Sequence, residues 1–205
     1  MIPAPTILKY RPKLQTSFIT GSTCFVDRQA DITTISHVSN ILTFRQRCMT
    51  LVSGYARFNG ISTISNTTIG IITITENGTS GAEGLWTAAE VKHAGISMFH
   101  TDPDNNYILM ISPAASAVGD RSIQLVKQVA GIETILDTEI VAGIALGTEY
   151  ILELSRTAGV VTGMVRSLDG TLLGTVSASD TALSSGVSGV HGYSCDYTVR
   201  DLRIE

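Results

Sequence analysis

Between Glu149 and Thr157 apolar side chains fall on alternate positions, with Tyr150, Leu152 and Leu154 on one face and Glu153 and Ser155 on the other. A period of two predicts a half-buried β-strand. Ala158-Gly159 supplies a short turn, Val160 to Leu168 runs back, and Asp169-Gly170 starts a third run at Thr171. An Asp-Gly pair between alternating segments is a strong hairpin signal, so Leu146 to Ser177 reads as an antiparallel meander.

The same pattern extends in both directions. Strands are predicted over Thr23–Val26, Ile32–Val38, Ile41–Phe44, Leu51–Phe58, Ile61–Ser65 and Thr68–Thr75. They resume over Ala94–His100, Asn106–Ser112, Ser122–Val129, Ile132–Asp137, Val187–Tyr193 and Tyr197–Ile204. Arg45 to Met49 is ambiguous. One short helix is predicted around Thr87 to Lys92, where Thr87 would cap and Glu90 would close a capping box. Turn signals every eight to twelve residues predict an all-β, two-sheet antiparallel sandwich. Residues 17–205 then form one domain, with N-terminal strands over 17–49 and a body over 50–205. Pro3, Pro5 and Pro12 forbid a regular helix or a central strand in the first residues, so residues 1–16 read as an extended arm. Ile2, Ile7, Leu8 and Tyr10 give that arm apolar side chains that must pack on their own domain or on a partner.

Composition supports a packed sheet protein. Of 205 residues, 43% are hydrophobic and only 16% charged, which excludes disorder. A chain of this length buries roughly 70% of its unfolded surface and needs no disulfide or metal staple. Cys24, Cys48 and Cys195 form no CxxC pair and read as small buried apolar residues. The first residues lack the apolar core of a signal peptide, and no apolar run is long enough to span a membrane, so synthesis in a reducing cytoplasm is expected.

Charge changes the picture more. Residues 1–60 hold seven basic side chains, including Arg11 and Lys13, against two acidic ones, a net +5. Residues 61–205 hold seven against sixteen, a net −9. The asymmetry fits solvated loops, or a basic arm that docks on the acidic surface of a neighbouring copy. The basic residues are scattered and no aromatic platform interleaves them, which argues against nucleic acid.

Candidate chemistry is sparse. Asp102, Asp104 and Asn106 have the 1-3-5 spacing of a calcium loop, but Tyr107 stands where glycine is needed and Pro113 where glutamate is needed. An Asp/Asn turn is the simpler reading. His191, Cys195 and Asp196 lie close in sequence and read as strand-end packing. Glu133, Asp137, Glu139, Glu149 and Glu153 are read as solvent-facing. Trp86, the single tryptophan, sits in a glycine-rich segment. It either anchors a core or interface or stacks on a sugar ring.

From Ala94 onward the order of features resembles the concanavalin A-like (laminin-G-like) jelly-roll family. The residues that carry this are Ala94-Gly95-Ile96, Asp102, Asn106-Tyr107-Ile108, Leu125-Val126-Lys127, Gly147-Thr148-Glu149-Tyr150, Asp169-Gly170, and Asp180 followed by Leu183 to Gly189. Val199 to Ile204 looks like the final strand, with Arg200 where an acid is usual. Glucanases of that family carry an E-x-D-x-x-E pattern on one strand face, and this chain has none. Phe18 to Asp27, then Asp31-Ile32 and Asn40, resembles the opening of structural proteins of tailed-bacteriophage particles, with Thr20 in place of an arginine. Together the resemblances imply a non-enzymatic virion structural protein without cofactor or metal. The expected protein is a capsid decoration (cement) protein on the virion surface that binds neighbouring subunits through its arm and sandwich edges. Its partners would be its own copies, as a homotrimer, and the major capsid or another virion protein. The alternative is a tail fibre or spike, or a carbohydrate-binding module that recognises a host surface glycan. The residues implied are Ile2, Ile7, Leu8, Tyr10, Arg11 and Lys13 for the arm interface and Trp86 for a glycan.

Overall fold

The computed structural model describes residues 25–27, 32–38, 41–46, 54–58, 66–74, 93–102, 104–113, 123–193 and 196–204. The arm, the predicted strand Ile61–Ser65, the predicted helix Thr87–Lys92 and Trp86 lie outside them.

Among the described residues fourteen strands follow one another: β1 (Phe25–Asp27), β2 (Ile32–Val38), β3 (Ile41–Gln46), β4 (Gly54–Phe58), β5 (Thr67–Ile74), β6 (His93–Asp102) and β7 (Asn105–Ile111). Then come β8 (Ile123–Val129), β9 (Ile132–Glu139), β10 (Glu149–Thr157), β11 (Val160–Ser167), β12 (Leu172–Ser179), β13 (Val187–Tyr193) and β14 (Asp196–Ile204). Every strand pair is antiparallel, and the strands form two seven-stranded sheets. One runs β1-β4-β13-β6-β7-β8-β9, the other β12-β11-β10-β5-β14-β3-β2. The protein is a two-sheet antiparallel sandwich, as the alternation predicts, and a jelly roll, as the resemblance implies. The ambiguous stretch after Phe44 begins as strand, since Arg45 and Gln46 complete β3.

The meander is β10, β11 and β12, three sequential neighbours at one end of the second sheet. Its first turn places Ala158 at φ 51° and Gly159 at φ 83°. Two successive left-handed residues make the turn twist with its strands. At the second turn Asp169 accepts hydrogen bonds from the Ser167 hydroxyl and the Thr171 N–H (3.0 Å), and these hold its carboxyl below the usual range.

The inner faces of both sheets form the core. Ile96, Tyr107, Leu109, Leu125 and Val190 from the first sheet meet Ile72, Leu152, Leu154, Val165 and Val199 from the second. Each such side chain contributes on the order of 1.5–3 kcal/mol on burial. Strand β7 is buried on both faces, with Ile108 and Met110 packing outside the sheet against Val126. That explains why Tyr107 to Ile111 is a continuous apolar run and not an alternating one.

The two outermost strands β9 and β12 close one side of the sandwich through side chains. The Glu139 carboxylate accepts from the Thr175 N–H, and Asp137 accepts from the Ser177 N–H at 2.8 Å. Among the described residues β12 is the last strand of its sheet, and the two carboxylates cover these amides on its outer edge against another chain. Asp137 and Glu139, read as solvent-facing, sit at an exposed contact where they also serve backbone donors. Glu149, read the same way, is part-exposed, and both its oxygens meet the Arg200 guanidinium at 2.7 Å.

Candidate functional site

Four segments far apart in sequence converge at one end of the sandwich. They are Asn66 before β5, the Phe99 region of β6, the β10–β11 turn, and the loop that joins β12 to β13. A groove of about 340 Å³ is lined by Asn66, Phe99, Arg156, Thr157, Ala158, Gly159 and Ser184. A second hollow, lined by Ala158, Gly159, Ser179, Asp180, Thr181 and Ala182, shares the turn with it.

Phe99 forms the base of the groove. It has φ 52°, at an irregularity in the β6–β7 register between Met98 and Asp102. A left-handed aromatic residue is strained and persists only where its surroundings over-determine it. Here the ring is buried, meets Tyr107 edge-on at 6.1 Å, and carries the Arg156 guanidinium 5.4 Å above it. Gly186 (φ 141°) lies against the Phe99 backbone from the other side.

The β12–β13 loop is held by hydrogen bonds. The Tyr107 hydroxyl donates to Asp180 and accepts from the Leu183 N–H at 3.2 Å, while Lys127 donates to the other Asp180 oxygen. Ala182 N–H also reaches Asp180 (2.8 Å), and Arg156 donates to the Leu183 carbonyl (2.7 Å). Burial pushes the Asp180 carboxyl up, but Lys127, Tyr107 and the Ala182 amide outweigh it and hold it below its usual value. Burial, then the bond to Asp180, pushes Tyr107 up to about 12. Asp180 is therefore an ion-paired structural carboxylate.

The groove presents an amide, a guanidinium, hydroxyls and an apolar floor. Such a set can hydrogen-bond and stack against a polyhydroxylated ligand. Glycosidic hydrolysis needs two carboxylates facing one bond. Among the described residues Asp180 is the only carboxylate in the lining of the two hollows, and its oxygens already accept from Tyr107, Lys127 and the Ala182 amide. Elsewhere, the Arg200 guanidinium hydrogen-bonded to Glu149 holds that carboxyl low, although a general acid needs the opposite.

The other sequence candidates are spread apart. Asp104 and Asn105 brace the β8–β9 hairpin: the Asp104 carbonyl accepts from Gly131 N–H and the Asn105 side chain from Ala130 N–H, both at 3.1 Å. Asn106 is buried at the start of β7. Among the described residues no group of three or more His, Cys, Asp or Glu side chains could hold a metal ion. Cys195 lies outside the described residues. His191 stacks on His93 with ring centres 5.8 Å apart, on β13 and away from the groove. Burial, then the His93 and His100 charges, push it well below its ordinary value.

A histidine whose folded pKa is depressed stabilises the fold above the unfolded value near 6.5 and loses that stability as pH falls below it. Acidification from about pH 6.5 should therefore lower stability by up to about 1.4 kcal/mol per pH unit for this one proton. His191→Gln should flatten that slope in urea melts taken between pH 7 and 5. An unchanged slope would contradict this origin.

The meander thus supplies Arg156 to Gly159 to the groove. Asn66, Phe99, Arg156 and Ser184 carry no spacing signal, because only the strand order brings them together.

No protein-family model and no curated protein sequence matches this chain. Solved structures match its fold. The carbohydrate-binding module CBM66 from Bacillus subtilis superimposes with a TM-score of 0.67 at 14% identity, covering 89% of this chain and 96% of that one. The exoplasmic/lumenal domain of VIP36, in its Ca2+/Man3GlcNAc-bound form, gives 0.57 at 10% identity over 88% and 82%. The β-glucanase of Bacillus licheniformis gives 0.52 at 10% identity over 89% and 92%. At these identities the likeness concerns the fold alone, and the fold is a concanavalin A-like jelly-roll sandwich.

Proposed function

We propose that this chain is a non-enzymatic, lectin-like protein that binds a glycan in the groove at the Asn66–Phe99–Arg156–Ser184 end of the sandwich. The observation that carries the reading is the lining itself: one guanidinium, one amide and hydroxyls over an apolar floor, with no pair of carboxylates to cut a glycosidic bond. Two of the similar folds are a carbohydrate-binding module and a mannose-glycan-bound domain, which adds support. A glycan array followed by calorimetry tests it. The intact protein should bind a saccharide, and Asn66→Ala or Arg156→Ala should weaken that binding about tenfold or more with the fold retained. Loss of binding with Trp86→Ala alone would move the site to residue 86. A blank array would overturn the reading.

A second reading concerns where the protein works. Phe18 to Asp27 resembles the opening of tailed-phage structural proteins, and a basic segment precedes an acidic body. These favour a virion structural protein, a capsid decoration or tail component, that assembles with copies of itself and with another virion protein. The two readings are compatible, since a decoration protein can carry a glycan-binding groove. Antibody labelling of purified particles tests the second; particles that stay bare would overturn it.

A further inference from the structure

We infer that the free edge of β9 accepts the N-terminal arm of a second copy as an added strand, an inference that rests on the self-assembling reading above. Among the described residues β9 is the last strand of its sheet. Its side chains divide it into a guarded half and an open half. Asp137 and Glu139 turn toward the β12 amides and close the second half. The first half is open: Ile132 is 71% exposed and Ile135 44%, and Ile140 just beyond the strand is 68% exposed. Bare isoleucines on an edge strand are the features that other edges are built to avoid, because every second residue offers an unpaired N–H and C=O. Residues 132–140 hold three acidic side chains and no basic one.

The arm has the complementary chemistry. Pro5 and Pro12 bracket Thr6 to Arg11, six residues that all keep an N–H for strand pairing. Within this stretch Lys9 and Arg11 alternate with Leu8 and Tyr10, and the open half of β9 carries Glu133 between Ile132 and Ile135. Strand addition would supply the backbone hydrogen bonds, and the opposite charges would select the partner. An arm from one copy on the edge of the next is a head-to-tail contact, which closes into a ring when the rotation permits, as a trimer requires.

The experiment uses full-length protein in sedimentation velocity across a concentration and salt series. The intact chain should self-associate, less so at high salt. Lys9→Glu with Arg11→Glu, or Glu133→Lys, should each weaken association about tenfold, and mixing the arm variant with the edge variant should recover most of it. Leu8→Pro removes an arm N–H without touching charge and should abolish association. Oligomers that persist at full strength in the Leu8→Pro and Glu133→Lys proteins would overturn the β9 contact and leave self-assembly standing. A monomer at every concentration would overturn both.

Discussion

Gly186→Ala is expected to cost about 3 kcal/mol or more of folding stability, the largest loss from a single methyl group among the residues around the groove. Gly186 sits at φ 141°, where a side chain is strained in any space. An added Cβ would also lie 2.3 Å from the Phe99 carbonyl carbon and 2.6 Å from the His100 nitrogen. Both neighbours are backbone atoms of a buried strand and cannot swing aside. The β6 irregularity that holds Phe99 left-handed would have to move, and overpacking against a strained backbone exceeds the usual 1–3 kcal/mol. Urea unfolding measures it; a loss under about 1 kcal/mol would show that the loop and β6 can separate freely. The variant should also lose groove binding, because Phe99 is its base.

Asp180→Ala is expected to destabilise by about 2–4 kcal/mol. The carboxylate side chain is 12% exposed, and its removal leaves the Lys127 ammonium (21% exposed) and the Tyr107 hydroxyl without their acceptor. The loop over residues 180–186 loses its Asp180 bonds to β7 and β8 together and keeps only the Leu183 N–H bond to the Tyr107 hydroxyl on that side. The pH dependence separates this from simple packing loss. Because Asp180 is held below its ordinary value, its contribution is present above the unfolded pKa near 3.9 and disappears as pH falls through the lower folded value. At the alkaline end Tyr107, pushed up to about 12, keeps its proton while the unfolded tyrosine ionises near 10. The folded protein should therefore lose stability as pH rises from about 10 toward 12, and the Asp180→Ala protein should lose less. Parallel curves for the two proteins would exclude the Asp180–Tyr107 bond as the source.

Much of the strand plan was legible. Ile32–Val38, Glu149–Thr157 and Val187–Tyr193 match the strands predicted for them, because apolar alternation and turn residues are local signals. Asp169-Gly170 was legible for the same reason. The predicted helix over Thr87–Lys92 and the glycan contact at Trp86 fall outside the described residues. The groove was not legible. Arg156 reads as one more polar residue at a strand end, and nothing local marks the loop that its guanidinium will meet. Phe99 reads as an ordinary apolar strand position, whereas its left-handed backbone packs against Gly186 of the β12–β13 loop and Tyr107 of β7. The backbone bonds of Asp137 and Glu139 were not legible either, because their donors, the Ser177 and Thr175 amides, belong to the opposite sheet.

By itself the sequence determined an all-β sandwich with hairpin turns at fixed places, since side-chain periodicity and backbone preference act over a few residues. It also determined the charge division between the first sixty residues and the rest, which needs no coordinates. Only the tertiary structure decided which strands become edges, which carboxylates guard them, and which strand ends meet to form a groove. Those features depend on strand order, and strand order is chosen by the joint burial of both sheets' inner faces, a property that no short window of sequence contains.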